Sequence, residues 1–336
     1  MNKKIGKRTI ILKNKPRIIS AFSIVGPREG EGPLKEYFDH ILKDEMFDTK
    51  SYEKAESKML LNCIKEAILR ANLKDKNIDY LFSGDLLNQI IASSFAAREL
   101  EIPFFGLYGA CSTMTEALSL GSILLDSDIG NYIICSTSSH FCAAERQFRF
   151  PLEYGSQRSK TSQWTVTGSG AMILGRNGDF PKITSVTTGI VKDYGIKDAN
   201  NMGAAMAPAA VDTIYNHFKD TGKTPKDYDV IVTGDLGTVG KTIAENLILE
   251  YGYDIRDNYL DCGDMIFFSE VQGTEAGGSG CGCSASVAAG YFYKKLIKKE
   301  IKSMLLISTG ALMSPTSSLQ GETIPGIAHA VSIESD

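Results

Sequence analysis

"IDYLFSGDL" (Ile78–Leu86) and "YDVIVTGDL" (Tyr228–Leu236) are two versions of one segment, with Asp79 falling on Asp229, 150 residues later. Further along, "ACSTM" (Ala110–Met114) resembles "GCSAS" (Gly282–Ser286) and puts Cys111 on Cys283. "YIICSTSS" (Tyr132–Ser139) resembles "MLLISTGA" (Met304–Ala311) and puts Ser136 on Ser308; both of these offsets are 172. An offset shared by two separate elements marks an internal duplication, and its change from 150 to 172 implies an insertion of about 22 residues between them.

Each matched segment is a short apolar run closed by Gly, Ser or Asp. "DYLFSGDL", "IPFFGLYGA", "NYIICSTSS" and "GAMILG" read as strands, with helical stretches such as Ser93–Leu100 and Ser112–Asp126 between the first three. That alternation predicts parallel strands joined by crossover helices, an α/β class. Two such halves, residues 1–180 and 181–336, packed face to face would bring the ends of equivalent strands around one cleft. Helices starting there, at Ser112 and Ser284, would present free N–H groups and positive dipole ends to an anion.

Composition narrows the classes. The chain has 336 residues, 43% hydrophobic and 23% charged, which suits one large globular unit or two domains. A net charge of −4 and a pI near 5.7 argue against a nucleic-acid partner. No run reaches 18 apolar residues, so no membrane span is expected, and "MNKKIGKR" lacks the apolar core of an export signal. The seven cysteines are expected to be reduced. Cys281 and Cys283 form a C-x-C pair with no second Cys or His cluster, a poor zinc signal, so neither metal nor cofactor is expected.

The duplicated halves, the Cys at the first helix start and the Gly-rich "VTGSGAMILG" (Val166–Gly175) together resemble the thiolase fold. The last of these is similar to a strand of initiating β-ketoacyl synthases, although Ser169 stands where that family usually has Asp. The resemblance implies two βαβαβαββ halves in a layered α/β/α/β/α unit. "SGDLLNQ" (Ser83–Gln89), "GACST", "SSH" followed by "AERQFRFPLEYG", "MGAAMAPAA", "GGSGCGCSA", "STGALMSPT" and "IPGIAHAV" more closely resemble the stage V sporulation protein AD family. That family implies a role in spore formation: binding of dipicolinic acid (pyridine-2,6-dicarboxylate), free or as its calcium chelate, during transfer into the developing spore. It also implies a peripheral place at the spore inner membrane, other stage V sporulation A proteins as partners, and a homodimer.

Acyl condensation on this fold needs more than a nucleophile, because His or Asn side chains must move protons and stabilise the oxyanion. The corresponding segments here read "TGDLG" (Thr233–Gly237), with no His or Asn, and "GGSGCGCSAS" (Gly277–Ser286), with Cys281 at the Asn position. Losing such partners costs on the order of 10² to 10³ each in rate. The expected protein is therefore a degenerate, non-catalytic relative; acyl transfer through Cys111, of the β-ketoacyl synthase or thiolase type, is the alternative. A helix start should lower the pKa of Cys111, yet a thiolate would repel a dicarboxylate, so a neutral thiol is expected in the bound state.

A dicarboxylate site wants donors at both ends and an apolar slot between them. The candidate donors lie in Ser138–Trp164: His140, Arg146, Arg149, Arg158 and Lys160, interleaved with Phe148, Phe150, Tyr154 and Trp164. This segment reads equally as a lid or as a dimer-forming arm. The expected ligand-binding set is Cys111, Ser112, Glu116, His140, Arg146, Arg149, Cys281 and Cys283, with Glu116 needing a bridging proton or calcium beside a dianion. Outside the cleft, "YKKLIKKEIK" (Tyr293–Lys302) should align five lysines on one helical face, either a solvated face or one drawn to anionic lipid or an acidic partner.

Overall fold

The computed structural model describes residues 4–148 and 158–335. Ten strands carry the architecture. In the first half they are β1 (Arg17–Val25), β2 (Tyr80–Gly84), β3 (Phe104–Gly106), β4 (Tyr132–Ser139) and β5 (Gly168–Gly175). In the second they are β6 (Lys182–Thr187), β7 (Val230–Thr233), β8 (Tyr259–Asp261), β9 (Ser303–Ala311) and β10 (Gly326–Glu334). Their spatial order is β8-β7-β9-β10-β6-β1-β5-β4-β2-β3, which reads the same from either end once each strand is replaced by its counterpart in the other half. In each half the 2-3 and 2-4 type pairings are parallel and the last strand returns antiparallel. Among the described residues the two sets are joined where Lys182 pairs with Arg17, flanked by the Ile18 N–H to Pro181 and Ile183 N–H to Pro16 carbonyl bonds.

The central strands are apolar on both faces because both faces are covered. Helices α1 (Tyr52–Arg70) and α2 (Ile91–Leu100) lie outside the first set, and α5 (Met202–Thr221) and α6 (Gly237–Glu250) outside the second. Between the sets run α3 (Thr113–Asp126) and α7 (Cys281–Val287), the latter continuing helically to Ile297. The result is the layered α/β/α/β/α unit expected. Small residues make the middle layer possible: "GCGCSAS" in α7 lets its backbone meet β5, where a Cβ on Gly170 would lie 2.2 Å from the Ala285 carbonyl oxygen. Among the described residues no helix is long and apolar enough to cross a membrane.

Helix α4 (Phe141–Phe148) opens directly after β4, and the turn Ala110–Ser112 bridges β3 to α3. That turn lies against β9 of the other half. A Cβ on Gly310 would stand 2.4 Å from the Gly109 carbonyl oxygen, and backbone cannot yield as a side-chain tip can. Gly310→Ala should therefore destabilise the protein by about 1–3 kcal/mol, the usual penalty of overpacking. A thermal melt unchanged from the parent would mean that the two halves are not in this close register.

Candidate functional site

The strand ends that face one another enclose a cleft of about 670 Å³. Its walls come from the segment after β2 (Asp85–Ile90), from Tyr108, Ala110 and Cys111, from α4 (Ala144, Glu145, Gln147, Phe148), and from Met202, Gly280 and Ala311–Thr316. Several of these positions are strained. Gln89 and Ile90 both have left-handed backbone, φ +57° and +46°, and so does Ala110 at +50°. For a β-branched residue such as Ile90 this conformation is costly, and strain of this kind gathers at ligand sites.

Cys111 is buried with its thiol side on the cleft wall. Cys281, at the start of α7, and Asp235, just beyond β7, adjoin it and both act on its ionisation. The Cys281 thiol donates to the Ala110 carbonyl at 3.0 Å. Asp235 is fully buried and accepts from the Thr309 hydroxyl at 2.6 Å and from the Gly280 N–H at 2.9 Å. Burial pushes the Asp235 carboxyl up to about 6. The hydrogen bond to Cys281, burial and the charge on Asp235 together hold the Cys111 thiol well above the usual thiol range. The expected helix-start depression of its pKa is thus overturned: no cation adjoins the sulfur among these partners, and a carboxyl does.

A second carboxyl occupies the equivalent place in the first half. Asp85, after β2, accepts from the backbone N–H of Leu87 at 2.9 Å and of Ser93 at 2.8 Å. Burial raises it to about 6 as well, and it lines the cleft. The buried Glu56, bonded by the Ser138 hydroxyl at 3.1 Å, is raised further by burial and by the charge on Asp85. Asp85 and Asp235 are the paired residues of the repeated "SGDL" and "TGDL", so the duplication itself carried the signal.

The other expected ligands divide. Cys281 joins Cys111 at the site, whereas Cys283 points into the apolar core. Ser112 is buried and donates to the Gly109 carbonyl at 2.7 Å, locking the turn and not facing the cleft. Glu116 is held under the same turn with its Oε2 buried and without a hydrogen-bond partner, and burial raises its pKa. His140, expected as an anchor, is not on the cleft wall. Its Nε2 meets the Glu45 carbonyl at 2.8 Å, its Nδ1 accepts from the Cys142 N–H at 3.2 Å, and burial lowers its pKa, so it is a satisfied core histidine. Arg146 turns outward to pair with Glu53. Arg149, Phe150 and Tyr154 lie outside the described residues.

Arg158 pairs with Glu145 at 3.1 Å and lies over Trp164, which stacks on Phe141 at 3.7 Å; Lys160 pairs with Glu275 at 2.8 Å. Among the described residues of the segment expected to supply cations, Glu145, Gln147 and Phe148 line the cleft. Among the described residues the cleft wall has no Lys, Arg or His. No group of three or more His, Cys, Asp or Glu suited to a metal ion occurs among them.

Comparison with known proteins agrees with this architecture. The chain matches the family described as Stage V sporulation protein AD over residues 6–334. It is 43% identical over 329 residues to the Stage V sporulation protein AD of Bacillus subtilis (strain 168), covering 98% of this chain and 97% of that one. Among solved structures, acetamide-bound OleA of Xanthomonas campestris superimposes with a TM-score of 0.61 at 13% identity, over 97% of this chain and 100% of that one. The 3-oxoacyl-[acyl-carrier-protein] synthase III of Aquifex aeolicus VF5 does so with a TM-score of 0.55 at 12% identity, over 95% and 99%. At such identities the likeness is one of thiolase-like fold.

The electrostatics of the thiol can be tested. Asp235→Asn removes the carboxyl that opposes ionisation of Cys111, but turns an amide N–H toward either Gly280 N or Thr309. The variant should melt lower, by about 1–3 kcal/mol for the buried bond lost, while Cys111 is alkylated by iodoacetamide faster than in the parent at alkaline pH. Peptide mass spectrometry reads the rate. Unchanged or slower alkylation would show that Asp235 does not set the state of the thiol.

Proposed function

The chain belongs to the stage V sporulation protein AD family, and from that premise we propose that it binds pyridine-2,6-dicarboxylate in the cleft between its halves. In this reading it acts in transfer of that compound into the developing spore, as a peripheral homodimer at the spore inner membrane together with other stage V sporulation A proteins. The observation that carries it is a ligand-sized cleft of about 670 Å³ whose thiol is kept neutral between a carboxyl and a second thiol. Such a wall suits reversible binding and disfavours nucleophilic attack, which needs the thiolate.

The ring of the ligand has apolar walls to lie between, from Leu87, Ile90, Phe148 and Met313. Its carboxylates meet neutral donors: the amides of Asn88, Gln89 and Gln147, the hydroxyls of Ser279 and Ser314, and the protonated form of Asp85. A carboxyl near 6 is a donor below that pH and a negative charge above it. Binding of a dianion should therefore weaken as pH rises through about 6, by up to roughly tenfold per pH unit for each carboxyl that must take up a proton. Calorimetric titration with dipicolinate near pH 5.5 and near pH 8, with benzoate and phthalate as controls, tests both parts. Selective, saturable binding that is tighter at the lower pH is expected. No binding at either pH, or equal binding of phthalate, would refute the assignment.

A second reading has a specific observation behind it. Cys111 sits after β3 on a fold shared with a 3-oxoacyl synthase, where an acyl-accepting nucleophile would stand. Incubation with acyl-coenzyme A followed by intact-mass measurement separates the two: no added mass is expected, and an acyl group on Cys111 that turns over would favour acyl transfer.

A further inference from the structure

The lysine run does not form one helical face. The helix ends at Ile297, Lys298 and Lys299 occupy the turn beyond it, and Lys302 immediately precedes β9. Lys294 pairs with Asp39 at 2.9 Å and Lys295 with Glu300, but Lys298, Lys299 and Lys302 stand exposed. Sheet register then extends the group. Ser303 is opposite Glu334, Glu334 opposite Lys182, and Lys182 opposite Arg17, so one row crosses four neighbouring strands at one end of the molecule. The turn leading into β1 adds exposed Lys13 and Lys15, held beside that row by the Ile183 N–H to Pro16 carbonyl bond of 2.8 Å. Exposed Ile297, 42% accessible, adjoins the lysines as an apolar contact.

Three of the acids nearby are engaged, while Asp179, near Lys182, is exposed. Asp229 accepts from the Lys302 and Ser303 N–H groups at 2.7 and 3.0 Å, Glu334 pairs with Lys223 at 3.4 Å, and Glu300 with Lys295. Seven cations, of which Lys13, Lys15, Lys298, Lys299 and Lys302 are exposed, lie at one end of a chain whose net charge is −4. We propose that this end, built by Lys13, Lys15, Arg17, Lys182, Lys298, Lys299 and Lys302, docks the protein on an anionic phospholipid surface. Long lysine stems and a single exposed isoleucine suit a headgroup layer, and the sum of several modest attractions to a dense anionic plane suits these spread-out charges.

The orientation follows from the topology. β9 runs from the basic end at Ser303 to the cleft at Ala311, nine residues or about 30 Å. A molecule docked by its lysines directs the cleft mouth away from the lipid, toward the compartment from which a soluble ligand arrives. This inference rests on the membrane-peripheral reading for its setting only; dipicolinate titration and lipid binding are read separately, so either can fail alone.

Co-sedimentation of the full chain with phosphatidylglycerol–phosphatidylcholine vesicles, against pure phosphatidylcholine vesicles, provides the test. Binding to the anionic vesicles only is expected, and it should fall steeply in 0.5 M salt, where screening shortens to a few ångströms. K298Q/K299Q/K302Q should weaken it by about a hundredfold, at roughly fivefold per lysine. K43Q/K50Q/K54Q, which removes three exposed lysines toward the opposite end, should leave it unchanged. Equal melting temperatures exclude unfolding as the cause. Sedimentation with neutral vesicles, no sedimentation at all, or full binding by the first triple variant would each overturn the proposal, the last in favour of another face.

Discussion

Asp235 is the joint on which the site depends. Its two oxygens take hydrogen bonds from Thr309 on β9 and from Gly280 ahead of α7, and it also meets the thiol of Cys111 from the first half. One buried carboxyl therefore ties three elements from two halves around a single point. A buried acceptor left without such donors would be expensive, so the geometry of the strand ends and the state of the carboxyl constrain each other. The same group opposes ionisation of Cys111. Scaffold and electrostatics come from one side chain.

This explains why a fold associated with nucleophilic cysteines here presents a quiet one. A thiolate needs a neighbour that favours negative charge, and the neighbours are a carboxyl and another thiol. The cleft wall around it is built of amides, hydroxyls, apolar side chains, a second raised carboxyl, Asp85, and Glu145, which is paired with Arg158. In the proposed reading, such a surface would recognise its ligand by shape and by neutral hydrogen bonds, with protonation deciding how much negative charge it tolerates. Of the described cations in the segment after β4, Arg146 is engaged by Glu53 and Arg158 by Glu145.

Duplication also sorts function by direction. β2 and β9 carry their carboxyl ends to the cleft, at Asp85 and Ala311, while β9 starts beside the lysine row, where the antiparallel β10 ends. The cleft therefore acquires paired aspartates and strained turns, while the far end acquires exposed charge. Packing confines the freedom of both: Gly310 and Gly170 admit backbone where no side chain fits, holding the middle helices close to the strands.

The repeat offsets, visible in the bare sequence, determined the fold, because hydrophobic runs and Gly-Asp closures recur whenever the same unit is built twice. Strands such as "YIICSTSS" and helices such as Ser112–Asp126 were legible to within a residue or two, and so was the place of Cys111. Side-chain destinations were not. His140 follows a strand end just as a ligand would, yet its ring turns to Glu45; Arg146 shares its helix with cleft residues, yet points outward to Glu53; Cys283 is two residues from Cys281, yet faces the core. Sequence order sets where a backbone passes, since local periodicity and turn chemistry act over a few residues. Which face of an element meets the cleft, and whether a thiol there is charged, depends on groups as far as 171 residues apart, such as Ala110 and Cys281, that only the packed structure brings within hydrogen-bond reach.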